Sequence, residues 1–282
     1  MGCSCSRPTD EEIERSGSDD VPVPEGWTPI QLGLGWKTQL FPSMYNVHGV
    51  RMSVIGGRSW IVNGLDLGPV GNQSYAAHGL QVSCLNYVGT EGWGLQVGGV
   101  FGNFVGRGYV DDGYSGLQVA GWANAGSADG IQLAGVFNGF LWYKQSRPVQ
   151  DTPWAHGENI PGHIRGMQIA GVANVAKHVA GVQVSSAVNV SFEGFSGLQV
   201  GGINVAESKA DIGADGRRIC SGVQLGVFNA TGIFDSTVQA AGSCVQVGVI
   251  NLVDGGSGVQ FGLWNSNPDG FLPYFPILNF SF

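Results

Sequence analysis

Gly166-Met167-Gln168-Ile169-Ala170-Gly171-Val172-Ala173-Asn174 is followed 15 residues on by Gly181-Val182-Gln183-Val184-Ser185-Ser186-Ala187-Val188-Asn189. The shared pattern is Gly, aliphatic, Gln, aliphatic, a small residue, then Asn. It recurs throughout the chain. The Gln slot is filled by Gln81, Gln96, Gln118, Gln132, Gln168, Gln183, Gln199, Gln224, Gln246 and Gln260. Two earlier copies place Arg51 and Asp66 there, and Arg51, Asp66, Gln81 and Gln96 are each 15 residues apart. Later spacings stretch as far as 36 residues, between Gln132 and Gln168, so the unit accepts insertions after its Asn.

Aliphatic residues on both sides of Gln have the two-residue period of a strand. The flanking glycines allow bends and close backbone approach. Asn tolerates left-handed backbone, which predicts a corner at each Asn. A strand, a corner, a short second strand and a turn make one coil of a parallel β-solenoid. About 12 such coils are expected, each ~4.8 Å above the last. Stacked amides in one column can then bond each to the next. Arg51 and Asp66 fall in the same column, as an ion pair closing the Gln ladder. An antiparallel membrane β-barrel is the alternative architecture, because a spanning strand plus a turn also fits 15 residues. Two features weigh against it. The long connections follow both odd and even copies, and no paired aromatic girdles are visible.

Composition agrees with an all-β chain. Gly supplies 48 of 282 residues and charged residues only 12%, which disfavours helical bundles and disorder alike. The net charge is -8, and residues 5–25 carry seven acids against two bases. No basic stripe exists to neutralise phosphates, so no nucleic-acid partner is expected. Residues 1–27 read as an acidic tether and 28–282 as a single β-repeat domain. Insertion loops are expected near 104–115, 139–165, 205–221 and 230–243.

The start, Met1-Gly2-Cys3-Ser4-Cys5-Ser6, makes Cys3 a candidate lipidation site. It matches an acylation pattern, and also the end of a lipobox whose signal peptide would lie upstream. Membrane association through this lipid is one expectation. Cys84 and Cys244 stand at small-residue slots and read as small buried hydrophobes.

Catalytic and cofactor signals are weak. There is no phosphate-loop motif and no Gly-x-Ser-x-Gly elbow. His156, Glu158 and His163 match no standard metal spacing, so no metal and no cofactor is expected. The adjacent pair Asp111-Asp112, beside Tyr114, would carry acid–base chemistry if the chain were a β-helical carbohydrate-active enzyme. The longest insertion holds Trp142, Tyr143, Trp154 and His156, a better set for binding than for catalysis.

The order of three segments resembles a family of bacterial surface-repeat proteins first named from Leptospira. They are Trp36-Lys37-Thr38-Gln39-Leu40-Phe41-Pro42-Ser43, the Gly-aliphatic-Gln repeats, and Gly270-Phe271-Leu272-Pro273-Tyr274-Phe275-Pro276-Ile277-Leu278-Asn279-Phe280. The resemblance covers about residues 28–282. It implies an envelope or outer-membrane surface location and supplies no catalytic residue. The expected function is a non-enzymatic scaffold presenting loops to a protein or glycan. An outer-membrane barrel and a carbohydrate-active enzyme are the alternatives.

Overall fold

The computed structural model describes residues 26–35, 37–106, 113–139, 162–207, 220–232, 243–254 and 256–281. Strand makes up 80% of these and helix none. The strands join into one long sheet whose pairs are almost all parallel, a β-solenoid-like arrangement.

The register is set by the Gln slot. Arg51 pairs with Asp66, and Gln81 with Gln96. From there the column runs through Gln118, Gln132, Gln168, Gln183, Gln199, Gln224 and Gln246 to Gln260. The strand Gly56–Val88 shows why the chain must wind. Drawn straight, 33 residues would span ~110 Å. Yet Gln81 lies 2.9 Å from Asp66, 15 residues behind it. Length between copies does not disturb the register. Gln132 and Gln168 pair as squarely as Gln168 and Gln183.

Within a coil the chain bends just after the Gln-bearing strand, at residues 121–122, 135–136, 171–172, 186–187, 201–202, 226–227 and 248–249. A short strand carrying Asn follows, such as Ala123–Ala125 or Phe228–Thr231. Antiparallel pairing closes the two ends. The strand Gly26–Gly35 folds onto Thr38–Gln39, and Tyr274–Ser281 runs back along Ser257–Ser266.

Four expectations need correction. First, the antiparallel barrel is not the arrangement formed, because successive copies pair parallel. Second, Asn does not make left-handed corners. Among the described residues the only non-glycine with positive φ is Ile277. From the Arg51 copy to the Gln199 copy the left-handed position falls to the Gly two residues before the column residue. At Gly181 φ is 147°, and a Cβ there would sit 1.9 Å from the Gly166 carbonyl oxygen. Third, Cys244 is not merely a small buried hydrophobe, since its sulfur is in a disulfide. Fourth, the edges of the insertions are strand. Tyr114 begins the strand Tyr114–Ala120 and is buried, and His163 begins His163–Ala170.

The interior is unusual in composition. It holds the Gln and Asn columns with a thin lining of Val, Ala and Ser, plus Tyr114 and Phe195. The aliphatic residues beside each Gln point outward, because neighbours on a strand face opposite ways.

Candidate functional site

Two amide ladders run the length of the interior, in opposite senses. Each Gln donates its Nε2 proton back to the Oε1 of the copy before. Gln96 to Gln81 is 2.6 Å and Gln183 to Gln168 is 2.8 Å. Each Asn donates forward. Asn124 Nδ2 reaches Asn138 Oδ1 at 3.0 Å and the Leu133 backbone oxygen at 2.8 Å. Asn174 does the same to Asn189 and Val184. One Asn amide thus serves two acceptors on the next copy, a side chain and a carbonyl just before the bend. Both columns are fully buried in the middle of the stack. A buried amide is tolerated only when its donors and acceptors are met, and the ladder meets them by repetition.

The Gln ladder terminates on a charge. Gln81 donates to Asp66 Oδ2 at 2.9 Å. On its other side Asp66 is held by Arg51. Nε donates to Oδ1 at 2.6 Å and Nη2 donates to Oδ2. Arg51 spends a further proton on the Gln73 carbonyl, 2.9 Å away. Both side chains are 0% exposed. The aligned amides turn their N–H ends toward Asp66, the sense that favours a carboxylate. At the far end Gln260 Oε1 has no partner. The closing strand places Asn279 opposite Gln260, but Asn279 donates to the Leu272 carbonyl instead.

The column extends one step past Arg51. Gln31 pairs with Arg51 and exchanges two hydrogen bonds with the Phe41 backbone. The repeat pattern misses Gln31 because no glycine precedes it at the usual offset. It also misses the exterior run of His48, Asn63, His78 and Trp93, three residues before each column residue. Asn63 donates to His48 Nδ1 at 3.1 Å, His78 Nδ1 donates to Asn63 Oδ1 at 2.6 Å, and His78 stacks on Trp93. Exposed Trp27 meets His48 edge-on.

Trp142, Tyr143, Trp154, His156, Glu158, Asp111, Asp112 and Cys3 lie outside the described residues. His163, grouped in sequence with His156 and Glu158, packs in strand beside His178. Among the described residues no cluster of three His, Cys, Asp or Glu side chains could hold a metal ion. Burial pushes the Tyr114 hydroxyl far above the usual phenol range. No family model, no curated protein and no solved structure matches this chain.

Proposed function

We propose that the chain is a non-enzymatic surface or envelope scaffold, a β-solenoid of about twelve coils that holds sequence insertions at fixed heights along a rod. The observation that carries this reading is the insensitivity of the register to insertion. Between Asn138 and Gln168 the chain departs and returns, and both columns continue unbroken, Asn138 to Asn174 and Gln132 to Gln168. A rigid frame with variable segments is the usual economy of binding scaffolds. The segment 140–161, with Trp142, Tyr143, Trp154 and His156, would meet a protein or glycan partner.

Two further observations support the location. The disulfide at Cys244 fits an oxidising compartment, where such bonds persist. The ordered segments that resemble the Leptospira-type surface-repeat family point the same way, as does Cys3 as a lipid-attachment site. The Asp111-Asp112 pair of the enzyme reading lies outside the described residues, and the barrel reading has no support in the parallel strand pairing.

Protease treatment of intact producing cells tests this. Cleavage within 140–161 before lysis is the expected result. Cleavage only after lysis would remove the surface reading.

A further inference from the structure

The exterior is divided by charge more sharply than the interior. Take the residues on either side of each column Gln, and the two residues before each column Asn. From the Asp66 copy to the Gln260 copy every one of these positions is glycine or hydrophobic. Over residues 67–265, every Asp, Glu, Lys and Arg falls between a column Asn and the residue three before the next column Gln. Among the described residues of this stretch, one side of the stack therefore carries the surface charge and the other carries none.

The uncharged side is not flat. It comprises the two arms of the coil that meet at the bend. Aliphatic side chains beside Gln line one arm, including Ile169, Leu225 and Val247. The residues before Asn line the other. At the apex the side chains project furthest, with Trp122 59%, Val227 60% and Leu263 72% exposed. Stacked copy upon copy, they form an apolar ridge on the order of 50 Å long. Soluble surfaces seldom expose so large a continuous apolar area without covering it.

The geometry points to a lipid bilayer as what covers this ridge, with the rod lying along the membrane and its bend sunk among the acyl chains. A second copy of the chain would lay one face on one arm and leave the other arm wet. A fluid hydrocarbon phase covers both arms of a wedge at once. The structure also meets the condition hydrocarbon imposes. Backbone groups along the arms are paired in the parallel ladder, and the amides point inward where they satisfy each other. The net charge of -8 argues against attraction to anionic headgroups, so binding should rest on apolar insertion to about 5–10 Å and resist salt. This goes beyond the scaffold reading and does not depend on which loop meets which partner.

The test is flotation of the full chain with phosphatidylcholine vesicles, in low and high salt, with brominated acyl chains as fluorescence quenchers. The protein should float equally in both salts, with tryptophan emission quenched. Trp122→Phe should float normally but lose part of the quenching. The triple variant Trp122→Asp, Val172→Asp, Val227→Asp should bind vesicles at least tenfold more weakly. Its far-ultraviolet circular dichroism and melting should match the parent, because these side chains point outward. Absence of flotation by the parent would overturn the proposal, as would undiminished quenching in Trp122→Phe. So would a concentration-dependent dimer that the triple variant abolishes, in a protein that ignores vesicles.

Discussion

Gln183 has an amide above it and an amide below. It donates to Gln168 and accepts from Gln199, each at 2.8 Å, with no exposure to solvent. Gln183→Glu removes the donor, sets a carboxylate oxygen against the Gln168 carbonyl and buries a charge. A cost of ~3 kcal/mol or more is expected at neutral pH. The pH dependence has a definite sign. Burial raises the new carboxyl above its unfolded value of about 4.3, so the folded state holds the proton more tightly. The deficit against the parent is therefore smallest below about pH 4 and widens as pH rises through the folded value. Denaturant melts of both proteins across pH 4–8 measure it. A deficit that stays flat would mean that the carboxylate reaches water.

Arg51 and Asp66 give a second prediction of the same kind. Replacing either with Gln leaves the other charge buried and unpaired, at a cost of about 3–5 kcal/mol. The double change to Gln continues the amide column and should cost less than either single change, a coupling that a double-mutant cycle measures. Tyr114 gives a third. Its hydroxyl stays protonated when folded but ionises in the unfolded chain above about pH 10. Stability should therefore fall as pH rises beyond that point. Tyr114→Phe should flatten this part of the profile, as alkaline melts would show.

At the level of the coil, the critical residue is the glycine two before the Gln. Gly181→Ala must place a methyl 1.9 Å from the Gly166 oxygen, on a backbone that L residues avoid. That oxygen belongs to the sheet and cannot retreat. A loss of at least ~3 kcal/mol is expected. Gly35→Ala, with nothing within 4 Å, should change stability by less than about 0.5 kcal/mol. Thermal melts of the pair make the comparison.

The same element shows what the repeat makes legible. Alternation places Gln168 and Gln183 on one face, and equal spacing stacks them. Asn174 and Asn189 are legible as recurring but not as interior. Their backbone tolerance suggests corners, whereas their amides are needed inside as donors to the carbonyls before the next bend. Local propensity yields here to the demand of buried carbonyls for partners. Cys244 shows the reverse limit. It takes a Gly slot between Gly222 and Gly258, where no positive φ is required, so a side chain is admitted that a rule drawn from Gly181 would forbid. The apolar exterior arms follow from the same alternation once Gln is known to face inward, but periodicity alone does not say which face is inside.

A stack of identical rungs has an exposed edge at each end, and edges recruit further strands. This molecule closes its last rung by reversing direction. The strand Tyr274–Ser281 runs antiparallel along Ser257–Ser266, with Asn265 Nδ2 bonded to the Phe275 carbonyl at 3.0 Å. Asn267, bonded to Ser281 Oγ at 2.9 Å, pins the return. Without that strand, the unpartnered Gln260 Oε1 would be uncovered and Asn265 would lose its Phe275 acceptor, leaving both open to any chain presenting the same register. The best match is another copy of this protein, whose opposite end is guarded in turn by the hairpin of Gly26–Gly35 with Thr38–Gln39. Deleting residues 267–282 should therefore leave most of the sheet intact while converting the chain into one that associates through its ends. Sedimentation velocity should show species growing with concentration, with circular dichroism per residue nearly unchanged. A second deletion that also removes residues 26–44 should lengthen these assemblies, because both edges are then open. Monomers at every concentration in both deletions would mean that the antiparallel strand contributes stability alone and does not guard the edge.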